Sequence, residues 1–170
     1  MMKGSPMTPG KYRPYIYNES RRDAHQRAAM TLEQLSNATK VTAEQAIQLA
    51  FSTQVYHAEL WQERIRKAAP EAKLLLEWDR RAEANSRGAL AFYLFKMALG
   101  ADSRAVDPPA RLTDPEIRGA FRTMTYRLET EFPNDATYGT LFRVGRRGGK
   151  QTWPVGGGSL QEAGMAMPRA

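Results

Sequence analysis

The apolar positions of this chain recur mostly at helical spacing. Across residues 21–36, Ala24, Ala28, Leu32 and Leu35 repeat every three or four residues, while Arg21, Arg22, Asp23 and Glu33 fall off that stripe. The pattern predicts an amphipathic helix closed by Ser36 and Asn37. Thr42-Ala-Glu-Gln45 then has the form of a capping box, in which a hydroxyl and an amide three residues apart each cover a backbone amide that the helix leaves open. Ala46, Leu49, Ala50, Thr53, Ala58, Trp61 and Ile65 extend one apolar face, so the spacing predicts a helix running to about Lys67. Arg64, Arg66 and Lys67 at its carboxyl end suit the helix dipole. Pro70 predicts a restart, as a proline in the first turn of a new helix. The inner side of that helix carries Ala72, Leu75, Leu76 and Asp79, with Trp78 beside them.

Asn85 and Ser86 cap a further helix to Leu99, apolar almost all round through Ala89, Leu90, Phe92, Leu94, Phe95, Met97 and Ala98, with Lys96 inside the run. A helix of that kind is a buried one. Gly100 is its terminator. A linker follows at Asp107-Pro108-Pro109. Asp114 then reads as a cap, with Pro115 at the first helical position. Ile117, Phe121, Met124 and Leu128 form one face of that helix, which ends near Phe132-Pro133.

Beyond Pro133 the period shortens. Residues 141–144 alternate as a strand does, residues 145–149 are a glycine-rich turn, and residues 151–155 read as a returning strand that Pro154 restricts to an edge. Gly156-Gly157-Gly158 calls for unusual backbone angles or close approach to another chain. The first twenty residues, rich in Pro, Gly and Tyr, have no period. The expected organisation is α+β: an extended arm over residues 1–20, a helical segment over 21–133, and a β-rich tail over 134–170. A lone hairpin is marginal in water, so the tail is expected to belong to a larger sheet.

With 170 residues, 42% of them hydrophobic and 25% charged, the chain has the composition of a globular domain. It has no cysteine, which removes disulfides, thiolate metal sites and a cysteine nucleophile. Twenty-five Lys and Arg against eighteen Asp and Glu give a net charge of +7, which favours acidic partners in general. The longest apolar run, residues 89–99, is too short for a membrane span and holds Lys96. The amino end has basic residues but no apolar region of signal-peptide length after them.

Candidate chemistry is sparse. No G-x-S-x-G string occurs, and Gly157-Gly158-Ser159-Leu160 does not match it. Ser5 follows Gly4, and a serine freed at its amino group can act as a nucleophile, but Pro6 follows it in an arm without periodic structure. His57 and Glu59, two apart on a helix, face different ways and lack a metal partner at a spacing of three or four. Glu77 and Asp79 diverge likewise, and Asp79 is expected to pair with Arg80 and Arg81 on a helix surface. The basic groups are Arg21-Arg22, Arg64 to Lys67, Arg80-Arg81 and the stretch from Arg143 to Lys150. The last resembles a phosphate cradle without having the P-loop form, and the chain's aromatics lie mostly on helical faces and are not interleaved with it as in a stacking platform.

Three strings in order resemble the penicillin acylase family, which comprises penicillin amidase, cephalosporin acylase and acyl-homoserine lactone acylase. The first is Arg27-Ala-Ala-Met-Thr-Leu-Glu-Gln-Leu-Ser followed by Lys40-Val-Thr-Ala-Glu-Gln-Ala-Ile. It is similar to a family helix that begins with an arginine, then a turn and a new helix start. The second and most specific is Leu74-Leu-Leu-Glu-Trp-Asp79, followed by Asn85-Ser-Arg-Gly-Ala-Leu-Ala-Phe92. It resembles the family's Leu-x-x-Trp-Asp element and the small-residue helix after it. The third is Tyr138-Gly-Thr-Leu-Phe-Arg-Val with Trp153-Pro-Val-Gly-Gly-Gly-Ser159, similar to a late Pro-Val-x-Gly-Gly strand and loop.

The resemblance implies an N-terminal-nucleophile hydrolase that acts on linear amides of N-acyl compounds such as β-lactam antibiotics or acyl-homoserine lactones. Such a precursor cuts itself into two subunits, and its fold is a four-layer α/β/β/α sandwich with helical insertions. This chain would match the middle-to-late part of the larger subunit. Its partners would be the smaller subunit, the start of the larger one and the N-acyl substrate. The family's serine nucleophile and oxyanion asparagine have no counterpart in the matching strings, so the isolated chain is expected to be inactive. Calcium, where the full enzyme holds it, would have ligands outside this segment, and the family's parent enzymes are usually periplasmic or secreted. Arg27 aligns with the family's arginine near the acyl-binding site, a substrate-binding role; a solvated arginine at a helix start is the other reading. The alternative function is a basic helical module that binds nucleic acid or protein.

Overall fold

The computed structural model describes residues 36, 40–100, 112–146 and 149–157. The arm at 1–20, the helix expected at 21–36 except Ser36, and the linker at Asp107 lie outside them. The chain divides into two units, Met1–Ser52 and Thr53–Ala170. Within the first, α1 (Ala43–Ala50) starts as its sequence predicts. Gln45 N–H donates to Thr42 Oγ1 at 3.2 Å, and Thr42 N–H donates to Gln45 Oε1 at 3.0 Å. Ile47 and Phe51, four apart, are exposed.

The apolar stripe does not continue as one helix. It stops at Ala50, and α2 (Ala58–Ala68) is a separate element in the second unit. Between them the backbone of residues 53–55 pairs across the chain. Ala82 N–H donates to Thr53 O at 2.9 Å, Val55 N–H donates to Arg80 O at 2.9 Å, and Gln54 bridges Arg81 antiparallel. These non-local bonds outweigh a helical period kept by Ala50, Thr53 and Ala58 alone. His57 turns the chain into α2 with φ 57°.

Pro70 also acts otherwise than its position suggests. Ala72 N–H donates to Ala69 O at 3.1 Å, so Pro70 occupies the second position of a β-turn, where its fixed φ is favoured. The following helix, α3 (Lys73–Leu76), is one turn long. Ala72 and Leu75 face inward as expected, but Asp79 is exposed beyond the helix. Its Oδ1 accepts Arg81 N–H at 3.1 Å, a local turn and not a helix-surface pair.

Ser86 caps α4 (Arg87–Ala98), its Oγ accepting Ala89 N–H at 3.1 Å. This is the central element. Gly88, Ala89, Leu90, Ala91, Phe92, Leu94, Phe95 and Lys96 are all buried. Gly100 follows with φ 82°, a conformation that glycine adopts without strain. Trp61 of α2 meets Phe92 and Phe95 edge-on at 6.4 and 6.0 Å, and Trp78 stacks on Phe92 at 4.8 Å. Lys96 Nζ sits 3.7 Å from the centre of the Trp61 ring, a cation–π placement that accommodates a lysine inside an apolar helix.

The cap of α5 (Asp114–Thr130) is Thr113, one residue before the expected Asp114. Glu116 explains the shift: its Oε2 accepts both the N–H and the hydroxyl of Thr113 at 2.7 Å. A cap at Asp114 would put the buried Ile117 in that reaching-back position. Ile117, Ala120, Met124 and Leu128 pack inward, with Phe121 partly buried. Arg64 pins the start of α5 to α2, donating to Leu112 O at 2.7 Å and lying 2.6 Å from Asp114 Oδ1.

Part of the expected first strand is helical. Phe142 N–H donates to Tyr138 O at 2.9 Å and closes α6 (Tyr138–Leu141). The strands are β1 (Arg143–Gly145) and β2 (Thr152–Pro154), paired antiparallel with Arg143 opposite Pro154 and Val144 opposite Trp153. The architecture is therefore α+β, mainly helical with a two-stranded antiparallel sheet. No helix among the described residues is long and apolar enough to cross a membrane.

Candidate functional site

Segment 80–86 is where the second and third family-like strings meet. Trp78 approaches it from α3. The indole N–H donates to Arg81 O at 2.9 Å, and its ring lies against Gly88, where a Cβ would come within 2.5 Å of Trp78 Cδ1. Only glycine admits this approach, so the small residue on α4 and the tryptophan before it form one packing unit. Gln62, buried on α2, holds the turn from the other side. Its amide Nε2 donates to Leu75 O at 2.9 Å and Trp78 O at 2.8 Å. Buried carbonyls left without donors cost about 1–3 kcal/mol each, so Gln62 fixes the path of the chain between α3 and α4.

The carbonyls of this segment receive the tail. Gly139 N–H donates to Ala84 O at 2.7 Å, Tyr138 N–H to Ser86 O at 2.9 Å, and Gly157 N–H to Ala82 O. A Cβ on Gly139 would meet Pro154 Cβ at 2.6 Å and Ala84 O at 2.8 Å, and one on Gly156 would meet Ala82 O at 3.0 Å. The close approach expected at the glycine run is thus real, but to residues of this same chain. Gly157 has φ 82°. Burial, with Tyr93 as a lesser cause, pushes the Tyr138 hydroxyl well above its ordinary range, so it stays protonated.

Arg27, Ser5 and Ser159 lie outside the described residues. His57 stacks on Tyr56 at 3.7 Å and stands next to α2, apart from any serine nucleophile pattern. Among the described residues no three His, Cys, Asp or Glu side chains gather closely enough to hold a metal ion. Several of the basic groups are engaged within the fold. Arg64 serves Leu112 and Asp114, and Arg81 lies 3.8 Å from Glu83. In the stretch that resembles a phosphate cradle, Arg143 donates Nε to Thr152 Oγ1 at 2.9 Å and Nη2 to Thr152 O at 3.0 Å.

One cleft was not foreseen. It measures about 230 Å³ and has Ala72, Leu74, Phe121, Met124 and Leu128 as its apolar lining, with Lys73, Arg87, Glu71 and Glu129 among its polar residues. Its hydroxyl, Thr125 Oγ1, donates to Phe121 O at 3.0 Å. No nucleophile–base pair lines it. The sequence signal for it was present only as polar residues at helix positions, which are common on any surface.

The described residues of the second unit therefore form a scaffold that locks the second and third sequence strings together, and among the described residues there is no catalytic pair. No curated protein and no solved structure matches the chain. The family model described as penicillin amidase matches residues 4–163, nearly the whole length. The chain belongs to the penicillin amidase family, whose members are amide hydrolases.

Proposed function

We propose that this chain is a segment of the larger subunit of an acylase that hydrolyses linear amides of N-acyl compounds, with β-lactam antibiotics and acyl-homoserine lactones as the substrate classes. The nucleophile comes from polypeptide outside the segment. Family membership supports the amide chemistry. The observation that carries the rest is the hairpin. Both strands are exposed along their length, with Trp153 53% and Val144 41% accessible. A two-stranded sheet of this kind is marginal in water by itself, and a larger sheet, as in a four-layer sandwich, stabilises it.

In this reading the α2–α5 body is a helical excursion, and segment 80–86 guides the chain back to the sheet. The free amine of the nucleophile takes the hydroxyl proton as the oxygen attacks the amide carbon. Fixed donors hold the oxyanion, the C–N bond breaks with the proton passing to the leaving amine, and water releases the acid. Arg27 contributes its guanidinium, orienting the acyl group or the nucleophile region. Calcium, where the complete enzyme holds it, takes its ligands from polypeptide outside this segment, and no step depends on it.

The test is an assay of the purified 170-residue chain with a chromogenic phenylacetyl or long-acyl amide. No turnover above the blank is expected. Hydrolysis by the chain alone overturns the placement of the nucleophile. The product of the complete reading frame, by contrast, is expected to hydrolyse the amide, and Arg27→Ala in that product to raise KM without lowering Tm.

A further inference from the structure

We propose that the outer edge of β1 accepts one extended strand from the remainder of the amidase, and that the outer edge of β2 is closed to such pairing. The proposal rests on the amidase reading above and names the partner of the hairpin. The register decides which backbone groups face outward. Val155 N–H donates to Phe142 O at 3.1 Å, so these two residues form a hydrogen-bonded pair. Bonded and non-bonded pairs alternate along an antiparallel ladder. The next bonded pair is therefore Val144 with Trp153. The backbone groups of Arg143, Gly145, Thr152 and Pro154 point away from the partner strand.

The two outer edges differ. On β2, Pro154 has no N–H to give, and the Arg143 guanidinium already occupies Thr152 O. On β1, Arg143 and Gly145 present N–H and C=O groups two residues apart, and among the described residues nothing bonds to them. That spacing matches the backbone of an extended strand.

The hairpin faces agree. Phe142 and Val144, two apart on extended backbone, share one face, and Val155 and Trp153 lie opposite them. Phe142 is covered by Tyr138 at 4.2 Å and Tyr93 at 5.0 Å. Val144 and Trp153 continue this core face and are bare. The incoming strand thus has apolar residues at alternate positions on that side. A second copy is disfavoured as occupant, because it would bring a second +7 chain, with its own Arg143, Arg146 and Lys150, against the same edge.

The experiment co-expresses the full chain with the remainder of its reading frame and measures capture, amide turnover and residue-resolved hydrogen exchange. In the complex, the amides of Arg143 and Gly145 are expected to exchange about tenfold more slowly or less still, while Thr152 is unchanged. Trp153→Lys is expected to keep the chain folded, with wild-type near-ultraviolet circular dichroism, and to weaken capture about tenfold or more. An active complex without protection at Arg143 and Gly145, or with protection at Thr152 instead, overturns the edge assignment and leaves the amidase reading standing. Concentration-dependent protection in the chain alone assigns the edge to a second copy and also overturns it. If the assembled product of the frame hydrolyses no acyl amide, the amidase reading itself falls.

Discussion

The helix α4 and the β1–β2 hairpin are opposite solutions to placing aromatic residues. Around α4, Trp61, Trp78, Phe92 and Phe95 contact one another and are almost wholly buried. Their packing is complete within Thr53–Ala170, and the glycine at position 88 is shaped to one ring. In the hairpin, Val144 and Trp153 share a face with Phe142, yet only Phe142 has neighbours over it. The first region stabilises itself. The second has the pattern of a core face without the second half of a core, and it projects from the Gly139 and Gly156 contacts that anchor it. If the hairpin is the assembly surface proposed above, stability and assembly are carried by different residues, and substitutions should separate them.

The largest effect is expected in the helix. Gly88→Ala puts a methyl group within 2.5–2.7 Å of Trp78 and forces the indole off Phe92, which is expected to destabilise the chain by about 1–3 kcal/mol. An unchanged denaturation midpoint would show that Trp78 does not rest on Gly88. A smaller effect belongs to the cap of α5. The Thr113 N–H, then its hydroxyl, hold the Glu116 carboxyl below its ordinary range. A depressed value in the folded state means stability present above the unfolded carboxylate range and lost as pH falls through the folded value. Thermal melts should show Tm dropping through the acid range, less steeply in Glu116→Gln; identical slopes would remove the cap from the account. The smallest effect is at the hairpin. Trp153→Lys should leave the stability of the chain alone within about 0.5 kcal/mol. A loss as large as that of Gly88→Ala would mean that the hairpin belongs to the core after all.

What was legible in the sequence was local. The Thr42 capping box, the Ser86 cap, the buried helix after it, and the stripe of Ile117, Met124 and Leu128 follow from period and side-chain chemistry within a few residues. One reading failed on distant partners, and two failed where local signals competed. Ala50, Thr53 and Ala58 keep a helical stripe, and only the pairing of 53–55 with 80–82 ends it. Pro70 looks like a helix start until Ala69 and Ala72 close a turn around it. The Thr113 cap was readable, since Glu116 stands three residues on, but Asp114-Pro115 offered a competing start one residue later. Of the candidate site, Trp78 and Gly88 stand in one family-like string, and only the fold shows that the ring rests on the glycine. Arg27, which belongs to the expected substrate site, lies outside the described residues.

The unequal burial of the three tryptophans gives the chain a built-in optical gauge. Trp61 and Trp78 emit from a dry interior at 1% and 6% exposure, whereas Trp153 emits from contact with water. The red side of the fluorescence spectrum, and the fraction quenched by iodide, thus report on one indole at the middle of the hairpin. Docking of polypeptide over that indole would shift the emission to shorter wavelength while the interior pair stays constant, so assembly can be followed in solution without attaching a dye.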